Sequence, residues 1–118
     1  MIVSIDMLMQ DPITKHRDGN NKPIQGFDFG AWKDKHMTFA LEATPGWVDA
    51  VKERYGKVNT KYACVGYCFG APFVCNELAG TTVSAGAFAH PAFLEEHHFS
   101  NMKSSPYDFL VIPILSNS

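Results

Sequence analysis

The 118-residue chain reads as an α/β protein with a mostly parallel sheet of about four strands, and three observations predict it. Short, wholly apolar or β-branched runs alternate with stretches of helical apolar periodicity along most of the length. Gly, Pro, Asn and Asp clusters punctuate the boundaries between them. Hydrophobic residues make up 46% and charged residues 19%, the balance of a folded chain rather than a disordered one. The length suits a single domain over residues 1–118.

The elements follow in order. The run MIVSID is β-branched and apolar and stops at Asp6, which predicts a strand. Residues 10–27 carry two Pro, two Gly and several Asn and Asp, the composition of a loop. Phe29, Trp32, His36, Phe39 and Ala40 fall at helical spacing and predict an amphipathic helix to about Ala43. A second helix is expected from Thr44, a cap with Pro45 at the first helical position, to Gly56, with Trp47, Val48, Val51 and Tyr55 on its buried face. KYACVG reads as a second strand, and FGAPFVCNELAG as a helix closed by Gly80, with Pro72 tolerable in its first turn. TVSAGAFAH is rich in small residues and reads as a third strand covered on both faces. YDFLVIPIL supplies the fourth, with Pro113 near an edge or end.

Charge and cysteine usage narrow the function. The formal net charge is −2 and Lys and Arg are scattered, so neither a nucleic acid nor an anionic membrane is an expected partner. The apolar start, MIVSIDMLM, has no basic flank and is too short to span a bilayer, which makes a cytoplasmic location the expectation. Cys64, Cys68 and Cys75 are odd in number with no C-x-x-C pair, which fits neither a disulfide framework nor zinc. Glu95, Glu96, His97 and His98 are adjacent, so on a helix they point in different directions and form a solvated face rather than a metal site. No metal and no cofactor is expected.

The chemistry concentrates in Gly66-Tyr67-Cys68-Phe69-Gly70, a Gly-x-Cys-x-Gly pentapeptide between an apolar strand and a helix. A nucleophile elbow needs this arrangement. A strained turn presents the side chain at the carboxyl end of the sheet, and flanking glycines remove Cβ atoms that would clash. The turn puts the sulfur at a helix N-terminus, whose N–H groups attract an anion, and makes the Phe69 N–H an oxyanion donor. The competing reading is a small buried cysteine in a core, which is the expectation for Cys64 and Cys75. His90 ends the strand that follows the helix, so a right-handed crossover brings it to the sheet edge that carries Cys68. It is either a pocket-lining residue or a substitute base. Asp108 is the late carboxylate available to orient a histidine.

YACVGYCFGAPFVCNELAG followed by VSAGAFAHPAFLEE resembles the dienelactone hydrolase family, especially its fungal members. IDMLMQDPI is similar to a strand-end segment of that family, and TPGWVDAVKERYGKV to the helix before its nucleophile strand. The resemblance extends to about residue 103 and is most specific over 62–93. It implies a partial α/β-hydrolase-like three-layer fold, with Cys68 as nucleophile, Gly66 and Gly70 as its elbow and Phe69 as a backbone oxyanion donor. The implied reaction is hydrolysis of a small-molecule ester or lactone through an acyl-enzyme. The family's catalytic Asp and His lie further along the chain and have no match here, and neither does the strand whose loop gives the second oxyanion donor. A shortened or diverged member is therefore expected, with exposed sheet edges that favour a homodimer. Two other functions fit the residues: a non-enzymatic interaction protein on a partial hydrolase scaffold, and a redox-sensing thiol at Cys68.

Overall fold

The computed structural model describes residues 1–103, which fall in two compact units, the first Met1–Gly56 and the second beginning at Lys57. The strand expected over 107–115 and the carboxylate of Asp108 lie outside the described residues.

The first unit is a loop and one long helix. Residues 1–6 form no strand, contrary to expectation. A strand is a pairing, and among the described residues β-branched character alone supplies no partner for this segment. Asp6 instead caps a turn, its carboxylate accepting from the N–H groups of Leu8 at 3.0 Å and Gln10 at 2.7 Å. Residues 10–27 are loop, as their composition predicts. They contain a single 3-10 turn, Ile13–His16, and a bend in which Asp18 Oδ1 accepts from the N–H groups of Asn20 and Lys22.

Helix α1 runs Phe29–Tyr55. Asp28 caps it by accepting from the Ala31 N–H at 3.0 Å, and the Gly56 N–H closes it on the Lys52 carbonyl at 2.8 Å. The two helices expected here are one, with Pro45 in the interior. Proline lacks the N–H that would bond the Leu41 carbonyl, a loss of about 3 kcal/mol in a helix interior. Leu41 and Pro45 both lie on the exposed side, where water can reach the freed carbonyl. The opposite side carries an unbroken i, i+4 stripe of Trp32, His36, Ala40 and Thr44, all buried. Beyond the proline the same side continues half-buried through Trp47, Val48 and Val51, and this continuity, not the local proline signal, decides the element.

The second unit is a β–α–β unit with an added helix. Strand β1 (Tyr62–Tyr67) pairs in parallel with β2 (Val83–Ala89), in register from Ala63 opposite Ala85 to Tyr67 opposite Ala89. Helix α2 (Ala71–Ala79) connects them, as a parallel pair requires. Pro72 sits in its first turn and Gly80 ends it. Val74, Cys75 and Leu78 of α2 pack with Val83 and with Met102 of α3 (Glu96–Lys103) into the core of this unit. Burial of a Leu or Val side chain contributes roughly 1.5–3 kcal/mol.

The architecture is therefore α/β with a parallel sheet, but the sheet among the described residues has two strands rather than about four. Nor is β2 covered on both faces: Ala85, Gly86 and Ala87 are exposed. No helix among the described residues is long and apolar enough to cross a membrane.

Candidate active site at the strand-to-helix turn

Cys68 follows directly on β1 and opens a 3-10 turn, Cys68–Gly70, that leads into α2. Its backbone is left-handed, with φ of 49°, a conformation that costs a non-glycine residue on the order of 1 kcal/mol or more. The thiol is exposed. The bend is tight enough to demand glycine at 66, where a Cβ would lie 2.7 Å from the Gly70 carbonyl oxygen and 2.8 Å from Val74 Cγ2. Gly70 carries no such demand. It has ordinary helical dihedrals, and a Cβ there would meet nothing within 4 Å. The steric role expected of both glycines thus belongs to Gly66 alone.

His90 leaves β2 one residue after Ala89, as Cys68 leaves β1 one residue after Tyr67, and those two predecessors are register partners. Both residues therefore emerge at the same level of the pair, as the crossover predicts. His90 is exposed and also left-handed, with φ of 47°, and no hydrogen bond joins it to Cys68. The Cys68 carbonyl accepts two hydrogen bonds, from the Ala71 N–H within the turn and from the Ala92 N–H at 3.0 Å. Phe69 is buried, stacks on Phe73 and meets Phe93 edge-on.

The other cysteines behave as small core residues. Cys75 is fully buried, and burial raises its thiol pKa. Cys64 is half-buried against the same core, and desolvation, followed by the nearby Glu77 and Cys75, pushes its thiol up to about 11.

Two further polar clusters are present. His98, expected on a solvated face, is buried. Its Nδ1 accepts from the Glu95 N–H at 2.9 Å, so it caps the start of α3 in the way the third residue of a capping box does. Burial, and then the charge of His97, lowers the pKa of His98. His97 pairs with Glu95 at 3.1 Å in the open.

The second cluster went unseen in the sequence. In the first unit the Asp11 carboxylate accepts from His16 Nε2 at 2.7 Å and from His36 Nε2 at 2.9 Å, and the Asp11 carbonyl accepts from Trp32 Nε1 at 3.0 Å. His36 is fully buried, and its Nδ1 has no hydrogen-bond partner among the described residues. The hydrogen bonds from His36 and then His16 hold the Asp11 carboxyl below its ordinary value of 3.8. No periodicity links residues 11, 16 and 36. The available signal was the Trp32–His36 spacing on one helix face. No group of three His, Cys, Asp or Glu among the described residues is arranged to hold a metal ion.

The chain is 36% identical over 107 residues to dienlactone hydrolase 1 of Gibberella moniliformis, an alignment that covers 88% of it. It is 42% identical over 82 residues, 67% of its length, to dienlactone hydrolase 2 of the same fungus. The chain belongs to the dienelactone hydrolase family. Hydrolase tropI of Talaromyces stipitatus is also similar, at 31% identity over 90 residues. This dienelactone hydrolase family chain spans 40% and 34% of the lengths of the two Gibberella relatives. No family model matches it, and no solved structure gives a significant match.

Proposed function

We propose that this chain hydrolyses a small-molecule ester or lactone with Cys68 as nucleophile. The observation that carries the reading is the turn itself: an exposed thiol held in a left-handed backbone between a parallel strand and a helix, over an obligatory Gly66. Strain of this kind persists where the surroundings over-determine it, and it clusters at reactive positions. Membership in a hydrolase family supports the same chemistry.

In the proposed reaction the Cys68 thiolate attacks the ester carbonyl carbon. The electron pair moves onto the carbonyl oxygen, which the Phe69 N–H stabilises. Collapse of that oxyanion breaks the C–O bond, the leaving alkoxide takes up a proton, and an acyl-thioester remains on Cys68. Water then attacks the thioester, releasing the acid and restoring the thiol. His90, at the level of Cys68 on the neighbouring strand, is the proposed substitute base or pocket residue. Gly66 shapes the elbow.

The test is covalent capture. Brief incubation with an activated acetate ester should place one acetyl group on Cys68, read by mass spectrometry of the intact chain and its peptides. Cys68→Ala should remove the adduct. An adduct of equal yield in Cys68→Ala, or none in the native chain, would overturn the assignment.

A second reading is favoured by one observation. Among the described residues the outer side of the β1–β2 pair is apolar and exposed, with Val65 64% and Tyr67 68% exposed beside Ala63, Ala85 and Ala87. Parallel sheets bury both faces. A second copy of the chain seated there would make the protein a homodimer, with an interaction role.

A further inference from the structure

Left-handed backbone gathers where β1 and β2 end: Cys68 with φ of 49°, His90 with 47° and Phe93 with 61°. One contact that ties these two chain segments together is the hydrogen bond from the Ala92 N–H to the Cys68 carbonyl, 3.0 Å long. That carbonyl already accepts from the Ala71 N–H, so both of its lone pairs are engaged. A doubly bonded carbonyl has one orientation. Its peptide plane is rigid and trans, so the N–H at the other end, which belongs to Phe69, points in the opposite sense and is fixed with it. The Phe69 ring, stacked on Phe73 at 5.7 Å and met edge-on by Phe93 at 5.9 Å, anchors the same residue from its side chain. A carbonyl that accepts hydrogen bonds also polarises its peptide and strengthens the N–H as a donor.

We infer that Ala92 is a positioning residue for the oxyanion: through the Cys68–Phe69 peptide plane, its N–H aims the Phe69 N–H at the oxygen that becomes negative when Cys68 is acylated. The inference rests on the reading of Cys68 as nucleophile. It assigns a reaction-specific role to a backbone group on the segment after β2.

Replacing Ala92 by lactic acid in the full chain turns its amide into an ester and puts an oxygen in place of the N–H, with the side chain unchanged. Two reactions of Cys68 are then compared. Acylation by an activated ester passes through an oxyanion, whereas alkylation by iodoacetamide, a direct displacement, does not. The ester variant should acylate about tenfold more slowly, the scale of one lost hydrogen bond, while its alkylation rate stays at the native value. Ala92→Gly, which keeps the N–H, should match the native chain in both. Equal acylation in the native chain and the ester variant overturns the inference. A parallel fall in acylation and alkylation does so as well, because it marks general loosening of the turn. Failure of the native chain to acylate at all sinks the nucleophile reading, and the positioning role with it.

Discussion

At the scale of single residues, the pentapeptide around Cys68 contains two glycines with different roles. A methyl group at 66 would meet the Gly70 backbone at 2.7–2.8 Å, and backbone cannot swing aside as a flexible side chain does. Gly66→Ala should therefore cost about 1–3 kcal/mol in urea unfolding, the range for forced overpacking. Gly70→Ala, in open space with helical dihedrals, should fall within roughly 0.5 kcal/mol of the native chain. Equal effects at the two positions would refute this asymmetry. The sequence made Gly66, Cys68 and Phe69 legible because turn chemistry is local: a left-handed residue between strand and helix is written within five letters. It could not separate the two glycines, because what crowds Gly66 includes Val74, eight residues away.

Among the elements, β1, α2 and β2 were legible because each is a contiguous run with its own boundary signals. Helix α1 was misread at Pro45, where a local breaker lost to a stripe that is buried up to Thr44 and continues half-buried through Trp47, Val48 and Val51. The initial segment was misread for the opposite reason, since apolar character does not create a pairing partner. Asp11 was invisible because its role is to join loop to helix, receiving His16 from the 3-10 turn and His36 from α1. This tie has a pH signature. The Asp11 carboxyl titrates below its ordinary 3.8 in the folded chain, so its ionised form is favoured by folding. The stabilisation is complete above the unfolded carboxyl range, near pH 4, and is lost as pH falls through the lowered folded value. Asp11→Asn should be less stable than the native chain at pH 7, and the difference should shrink steadily below pH 4. Denaturant midpoints measured at both ends of that range check it. A difference that does not change with pH would mean that the carboxylate is not the source.

For the whole molecule, length, composition and alternation were enough to indicate α/β architecture, and the family followed from a motif in context. The number of strands was not legible, because sheet order depends on which edges find partners rather than on any one run. The exposed apolar side of β1 and β2 leads to a test of assembly. If a second copy covers Val65 and Tyr67, sedimentation across a wide concentration range should show a monomer–dimer equilibrium, and Val65→Lys should shift it to monomer. A strict monomer at every concentration would exclude that partner. The unequal burial of the three cysteines has a practical consequence. With Cys75 sealed in the core and the half-buried Cys64 thiol pushed up to about 11, a maleimide or methanethiosulfonate reagent at neutral pH meets one exposed sulfur and should react there first. The chain is thus preferentially addressable at Cys68 with no cysteine removed. A spin label or fluorophore on Cys68 would report the motion of the turn from the residue whose chemistry is in question.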